Sequence, residues 1–246
     1  MSVDRLLLWR HGRTEWNAGG RFQGQLDIPL DATGIEQARE AAPYLAAEGP
    51  TAVYASDLSR ASATGQILAD LIGVPVHPDA RLRETSLGGW EGLNRAEAAQ
   101  QFPDEFAQWT DGLRTNPGNG ETAHDVAVRA TALVEEITGR ETGTVVLAAH
   151  GGALKALTAA LLGMPEESWS LIAPLRNCHW TELRLTDGGR WRLHAHNVYP
   201  LSDPSTLVSD ELNVDSDAGD AQVSPPRPSG TDTGARDVSS APGAAS

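Results

Sequence analysis

The chain has 246 residues and a formal net charge of −14 at pH 7, with a sequence pI of about 4.8. This acidic balance argues against nucleic acid or an anionic membrane as the main partner, because both need a basic face. No apolar run is long enough to span a bilayer, and the single cysteine, Cys178, excludes an intrachain disulfide and a multi-cysteine metal site, so we expect a cytoplasmic protein.

Short apolar runs alternate with helical segments along the chain. The capping-box spacing of Thr33 and Glu36 predicts a helix whose N-cap is Thr33. Strands are predicted at residues 5–9, 51–55, 74–77, 144–149, 181–185 and 190–194, and helices from 33 to at least 45 and at 56–72, 94–112, 121–139 and 153–162. This alternation predicts an α/β fold, a three-layer α/β/α sandwich with a mostly parallel central sheet.

The composition changes after about residue 201. Residues 202–246 contain eight acidic residues, two arginines and no aromatic residue, which gives this segment a net charge of −6. Such a segment buries too little apolar surface to offset the entropy lost on ordering. The sequence therefore predicts a folded domain over residues 1–201 and a disordered acidic C-terminal tail over residues 202–246.

Two histidines follow apolar strands that lie far apart in the sequence. His11 comes after the first strand and His150 after the strand at 144–149, and a glycine follows each of them. Ligands bind at the carboxyl edge of a parallel sheet, so the two side chains could converge there. Each histidine considered alone could instead be a structural residue that is hydrogen-bonded within its loop and binds no ligand.

Arginines and one glutamate lie near the same predicted edge. Arg10 adjoins His11, and Arg60 lies at the start of the helix after the second strand. Guanidinium groups and helix N-termini both suit phosphate oxygens. Glu84 follows Arg83 and could protonate a leaving oxygen. Taken one at a time, these residues could equally form surface ion pairs.

Together these segments resemble the histidine phosphatase superfamily, also called the phosphoglycerate mutase-like family. The resemblance covers about residues 4–198 and rests on the segments Leu8–Asn17, Arg21–Asp27, Ser56–Ala61, Arg83–Glu84, Leu87–Gly92 and Ala149–Gly152. It implies that residues 1–201 form a histidine phosphatase catalytic domain that acts on a small phosphorylated metabolite, and that no cofactor or metal is needed.

The resemblance also implies roles for individual residues. His11 would attack phosphorus to form a phosphohistidine, and Glu84 would protonate the leaving oxygen. Positive charge for the phosphoryl group would come from Arg10, Arg60 and His150. Contacts to phosphate or substrate would come from Asn17, Gln23, Gly24 and Gly151.

Three alternatives remain beside a phosphomonoesterase. A phosphoglycerate mutase would carry a long insertion before the second histidine, whereas Glu84 and His150 are 66 positions apart. A catalytically inactive phosphate-binding relative would be expected to lack His11, His150 or Glu84. The two histidines could instead bind zinc, but no third histidine, cysteine or carboxylate stands at a spacing typical of zinc ligands.

The sequence leaves further points open. A carboxylate on the substrate would need a donor beyond the two arginines of the site, for which Arg13 and Arg21 are candidates. A sugar would need hydrogen bonds and an aromatic wall, for which Gln23 and Trp90 are candidates, although Trp90 could equally pack in the core. The predicted hairpin near residues 178–197 could expose an edge for a homodimer.

Overall fold

The computed structural model describes residues 3–113 and 115–200, so the predicted tail lies outside the described residues. The strands are β1 (Val3–Arg10), β2 (Pro50–Ala55), β3 (Val76–Pro78), β4 (Gly143–Ala149), β5 (Trp180–Leu185) and β6 (Trp191–Val198). The α-helices are α1 (Glu15–Ala18), α2 (Ala32–Ala47), α3 (Ser59–Ile72), α4 (Arg95–Gln101), α5 (Pro103–Thr110), α6 (Ala123–Arg140) and α7 (Gly151–Leu161). Short 3₁₀ helices cover Ala80–Leu82, Gly88–Trp90, Pro117–Asn119 and Glu166–Leu171.

The six strands form one sheet in the order β3-β2-β4-β1-β5-β6. β3, β2, β4 and β1 run parallel, and β5 is antiparallel to both of its neighbours. The predicted mostly parallel sheet is therefore confirmed, as is the hairpin that β5 and β6 form. β1 and β4 lie at the centre, which places their carboxyl ends side by side.

Helices cover both faces of the sheet, as the sandwich prediction requires. Successive residues of a strand point to opposite faces. Leu6 and Leu8 of β1 pack in the cluster that includes residues of α6 and α7, whereas Leu7 and Trp9 pack in the cluster that includes residues of α2 and α3. Because these strands are buried on both faces, their sequences are continuous apolar runs.

The helix predicted from residue 56 begins at Ser59, and two other helices differ more from the prediction. The N-cap of α2 is Asp31, whose carboxylate accepts a hydrogen bond from the Gly34 N–H at 2.7 Å, so the prediction of Thr33 as N-cap is wrong. The Thr33 hydroxyl instead accepts a hydrogen bond from Arg13. The single helix predicted at 94–112 is two helices, α4 and α5, which are divided at Phe102, where the following Pro103 disfavours helical backbone.

A smaller aromatic cluster packs around α4 and α5. Phe22, Trp90 and Trp109 form its centre, with ring centroids between 5.3 and 5.7 Å apart. Trp90 is fully buried there, so it packs in the core and does not form the aromatic wall of a sugar site. Among the residues that the structure describes, no helix has the length and apolar character needed to cross a membrane.

Candidate active site

The central strand pair brings the two predicted histidines together. Arg10 of β1 pairs with Ala149 of β4, and the backbone N–H of His11 donates to the Ala149 carbonyl at 2.9 Å. His11 and His150 therefore leave the sheet from adjacent positions, and their ring centroids are 5.1 Å apart. Both side chains are fully buried.

The hydrogen bond made by His11 determines which ring nitrogen can react. His11 Nδ1 lies 2.7 Å from the carbonyl oxygen of Gly12. Because a carbonyl can only accept, this contact assigns the proton to Nδ1 and the lone pair to Nε2. The loop is also held from α3, since the Gly12 N–H donates to the Thr64 hydroxyl, which in turn donates to the Arg60 carbonyl.

Both predicted arginines are fully buried at this edge of the sheet. Arg10 Nη1 donates to the Leu175 carbonyl at 2.5 Å. Arg60 donates to the carbonyls of Leu26 and Gly24, each at 2.8 Å. These bonds fix the orientation of the two guanidinium groups through backbone carbonyl acceptors.

The side chain of Glu84 lies at the start of α7. Its carboxylate accepts hydrogen bonds from the backbone N–H groups of Thr85 at 2.7 Å, Gly152 at 3.1 Å and Ala153 at 2.9 Å. His150 is the N-cap of α7, so the carboxylate lies at the positive end of this helix. Glu84 is fully buried, and two arginines against this one glutamate leave a net positive charge suited to an anion.

The predicted substrate-binding residues surround this group. Asn17 and Gln23 are fully buried, and their carboxamide oxygens lie 3.1 and 3.0 Å from the Thr14 hydroxyl, which has a single proton to share between them. The amide nitrogen of each side chain is a hydrogen-bond donor, which is the kind of group that a phosphate oxygen accepts from. Gly24 adopts a φ of +51°, and a Cβ there would collide with the Glu91 carboxylate.

Gly151 lies against Arg10. A Cβ at Gly151 would lie 3.4 Å from Arg10 Nε and 3.5 Å from its Cζ. These are ordinary van der Waals distances, so the first turn of α7 lies directly against the guanidinium group. All nine predicted site residues thus lie in one region, at the carboxyl ends of β1, β2 and β4.

Sequence reasoning missed the residues that support Glu84. The Glu84 carbonyl accepts hydrogen bonds from Gln25 Nε2 at 3.1 Å and Arg129 Nη2 at 3.0 Å. Arg129 also binds Glu121 at 2.8 Å. Burial favours the neutral form of Glu121, but the hydrogen bonds from Arg129 and the Ser86 N–H outweigh it and lower the pKa of Glu121. No local pattern marks these residues, because they come from separate segments of the chain.

Asn177 is another residue that sequence reasoning missed. Its Nδ2 donates to the His11 carbonyl at 3.0 Å and lies 3.4 Å from Asn17 Oδ1. It thereby ties the loop after His11 to the segment that precedes β5. Within residues 3–113 and 115–200, no group of three or more His, Cys, Asp or Glu side chains is arranged to hold a metal ion.

The side chains of Arg13 and Arg21 bind residues other than the nine predicted site residues. Arg13 binds Asp31 at 2.8 Å and Thr33 at 2.7 Å. Arg21 binds the Gly92 carbonyl at 2.7 Å and Glu97 at 3.3 Å. Neither arginine lines the cavity next to Glu84, which is bordered by Thr85 and Gly152.

Comparison with known proteins places this geometry among phosphatases. A family model described as "Histidine phosphatase superfamily (branch 1)" matches residues 6–199. A glucosyl-3-phosphoglycerate phosphatase of Mycolicibacterium vanbaalenii is 43% identical over 216 residues, which cover 80% of this chain and 96% of the relative. A metal-independent phosphoserine phosphatase of Arabidopsis thaliana is 36% identical over 160 residues, which cover 63% of this chain and 67% of the relative.

A solved structure extends the similarity to the fold. The mycobacterial glucosyl-3-phosphoglycerate phosphatase in complex with inorganic phosphate matches with a TM-score of 0.74 at 38% identity. The match covers 80% of this chain and 98% of that one. The similarity therefore spans the whole sheet and the helices on both of its faces.

Proposed function

The chain belongs to branch 1 of the histidine phosphatase superfamily and is a phosphomonoesterase, and we propose that it acts without a metal, through a phosphohistidine at His11. The observation that carries this proposal is the hydrogen bond from His11 Nδ1 to the Gly12 carbonyl, which assigns the proton to Nδ1 and makes Nε2 the nitrogen that carries the nucleophilic lone pair. The neighbouring His150 and the buried arginines support it, because phosphoryl transfer requires fixed positive charge.

The first step transfers the phosphoryl group to the enzyme. His11 Nε2 forms a bond to phosphorus while the bond between phosphorus and the ester oxygen breaks. Arg10, Arg60 and His150 stabilise the charge on the equatorial oxygens. Glu84 gives its proton to the departing oxygen, which leaves as an alcohol. Arrival of the phosphate dianion beside Glu84 adds a like charge, which favours the protonated carboxyl group that this step requires.

The second step returns the enzyme to its starting state. Water attacks the phosphohistidine, and the ionised Glu84 takes a proton from it. The bond between phosphorus and Nε2 breaks, and its electron pair returns to the nitrogen. Backbone N–H groups at the start of α7 hold the Glu84 carboxylate in place for this transfer. Inorganic phosphate then leaves.

We propose glucosyl-3-phosphoglycerate as the substrate. The proposal is supported by the relative that carries this activity in its name and is 43% identical over 96% of its own length. The likeness to that group of enzymes lies in the segments Arg21–Asp27, Arg81–Thr85, Asn177–Leu183 and Arg190–Leu193. Such a substrate carries a phosphate and a carboxylate on one glycerate, together with a neutral sugar.

Labelling that is quenched with alkaline detergent tests the phosphohistidine. Wild-type protein turning over a ³²P-labelled substrate should carry an acid-labile, base-stable phosphate, and His11→Ala should carry none and lose at least about a thousandfold in kcat/KM, or about 4 kcal/mol. His194→Ala is the matched control, because His194 lies on the exposed part of β6. Activity that is lost on adding EDTA, or label on a serine or aspartate, would overturn the mechanism.

Comparison of substrates tests the specificity. We expect kcat/KM for glucosyl-3-phosphoglycerate to exceed that for p-nitrophenyl phosphate by more than about tenfold, which is about 1.4 kcal/mol of transition-state discrimination. A smaller preference would indicate a broad phosphatase. Phosphate transfer between glycerate hydroxyls that outpaces release to water would indicate a mutase instead.

A further inference from the structure

Glu84 lies in a segment of the chain without regular structure. The 3₁₀ helix Ala80–Leu82 ends before it and the next 3₁₀ helix begins at Gly88, so residues 83–87 belong to no helix or strand. A backbone carbonyl in such a segment has no partner in a strand ladder or helix and takes its hydrogen bonds from elsewhere in the molecule. Side chains from other segments therefore determine where the backbone of Glu84 lies.

Arg129 of α6 holds this segment at two points. Its Nη1 donates to the Arg81 carbonyl at 2.7 Å, and its Nη2 donates to the Glu84 carbonyl at 3.0 Å. Nε and Nη2 also bind the two carboxylate oxygens of Glu121, at 2.8 and 2.9 Å. A planar guanidinium group presents its donors in several fixed directions, which the compact ammonium group of a lysine does not. One side chain thus fastens both ends of the segment from Arg81 to Glu84.

The helix that carries Arg129 is a firm support for these bonds. Ala130 and Leu133 of α6 are buried in the core cluster that also contains residues of β1, β4 and α7. Side chains locked by packing on a helix hold a site more precisely than side chains on a loop. The position of the Glu84 carbonyl is therefore referred to the core of the domain.

A second donor reaches the same carbonyl from the loop that follows His11. Gln25 Nε2 lies 3.1 Å from the Glu84 carbonyl and 3.2 Å from Glu121 Oε2. Glu121 thus orients both donors, Arg129 and Gln25. The other end of Glu84 is its carboxylate, which the backbone N–H groups at the start of α7 bind. Glu84 is held at its carbonyl and at its carboxylate by different elements.

From these contacts we propose that Arg129, together with Gln25, is a positioning residue for Glu84. It keeps the carboxyl group at the distance from which its proton reaches the leaving oxygen. The inference rests on the proposed mechanism, in which Glu84 protonates that oxygen, and it deepens this mechanism. Arg129 acts through the backbone of Glu84 and not on the reacting atoms. A shift of about 1 Å in a reacting group is enough to cost up to about a hundredfold in rate.

Two aryl phosphates of nearly the same shape isolate the transfer of the proton. Phenolate is a more basic leaving group than p-nitrophenolate and depends more on a proton from Glu84. Arg129→Gln should therefore lower the ratio of kcat/KM for phenyl phosphate to that for p-nitrophenyl phosphate at least about tenfold. A merely structural loss of folded enzyme lowers both values equally and leaves this ratio unchanged. Hydrolysis of the phosphohistidine follows the transfer step and does not enter kcat/KM.

Arg5→Gln is the matched control. Arg5 binds Glu48 at 2.6 Å and Glu182 at 2.9 Å, and its side chain is 15% exposed, compared with 18% for Arg129. The substitution removes a similar set of ion pairs from the amino-terminal half of β1, whereas the site lies at the carboxyl end of this strand. It should leave the ratio at the wild-type value.

Gln25→Ala provides a second variant in case Arg129→Gln does not fold. It removes the other donor to the Glu84 carbonyl and should lower the ratio in the same direction, by at least about threefold. The carbonyls on either side of Gln25, those of Gly24 and Leu26, bind Arg60. A disturbance of Arg60 would weaken both substrates alike, because both carry the same phosphate, so the ratio reports only the effect on Glu84.

The outcomes separate this inference from the proposed function. Glu84→Gln should lower the ratio at least as far as Arg129→Gln does. If it does so while folded Arg129→Gln keeps the wild-type ratio, the positioning role is overturned and the mechanism stands. If Arg129→Gln does not fold, an unchanged ratio in Gln25→Ala overturns the role in the same way. An unchanged ratio in Glu84→Gln would show that Glu84 is not the acid and would overturn the proposed mechanism itself.

Discussion

Cys178 lies directly behind the loop that carries His11. Its backbone N–H is within 3.2 Å of the Arg10 carbonyl, and its carbonyl accepts a hydrogen bond from Trp9 Nε1 at 3.0 Å. The side chain is fully buried, and burial raises the pKa of the thiol. A protonated thiol is a poor nucleophile. The role of Cys178 beside the site is therefore structural.

We accordingly expect Cys178 to be protected from thiol reagents in the folded protein. At pH 8, native protein should react with 5,5′-dithiobis(2-nitrobenzoate) at least about a hundredfold more slowly than protein in guanidinium chloride, because reaction requires opening of the core. The unfolded chain should release one equivalent, since it has one cysteine. Rapid native reaction with full retention of activity would show that the thiol is accessible.

The backbone of the loop after His11 is in close contact with the first turn of α2. A Cβ on Gly12 would collide with the Gly34 carbonyl, and a Cβ on Gly34 would collide with the backbone of Arg13. The first turn of α2 therefore presses against the segment whose carbonyl accepts the His11 Nδ1 proton. This contact, and not helix capping, explains the glycine at position 34.

Gly34→Ala should consequently damage both the site and the fold. We expect a loss of about 1–3 kcal/mol in the free energy of unfolding from overpacking, and a fall in kcat/KM of at least about tenfold as the His11 loop shifts. Gly139→Ala is the control, because no atom lies within 4 Å of a Cβ built there and the residue is helical. It should raise stability by up to about 1 kcal/mol with unchanged kcat/KM.

The elements and the site differ in how far the sequence could predict them. The strands were predictable because β1 and β4 are buried on both faces and therefore appear as unbroken apolar runs. His11 and His150 were predictable because each directly follows such a strand. The cavity next to Glu84 was not, because Lys155 and His124, which line it, lie on different helices, and Glu166 lies on a 3₁₀ helix. Only tertiary packing brings these residues together.

At the scale of the whole molecule, the acidic segment at the C-terminus is expected to contribute little. Residues 202–246 have a net charge of −6 and no aromatic residue. We expect deletion of residues 206–246 to change the free energy of unfolding by less than about 1 kcal/mol and to leave kcat/KM within about twofold. Urea denaturation and a phosphatase assay on the truncated chain check this. A larger loss of stability would show that the segment docks on the domain.

Ion pairs between arginines and carboxylates link stability to pH. Hydrogen bonds from Arg83 and Arg81 lower the pKa values of Asp57 and Asp79, and Arg129 contributes to the lowered pKa of Glu121. A carboxyl group whose pKa is lower in the folded state binds its proton more weakly there than in the unfolded chain. Each of these carboxylates therefore stabilises the fold at pH values above the pKa that it has in the unfolded chain. This contribution is lost as the pH falls through the lower pKa that the group has in the folded protein.

Glu121→Gln measures one of these contributions. Its ordinary pKa is 4.5, so the free energy of unfolding of the wild type should exceed that of the variant by a constant amount above about pH 5.5. We expect a difference of about 2 kcal/mol there, because the variant loses a partly buried charged hydrogen bond to Arg129. Below pH 4.5 the difference should shrink, because Glu121 takes up a proton in the unfolded chain first and in the folded protein only at its lower pKa. Urea denaturation between pH 3 and 8 gives both curves, with Glu36→Gln as control because its pair with Arg39 is exposed. A difference that stays constant down to pH 3 would show that the side-chain shape of Glu121, and not its charge, stabilises the fold.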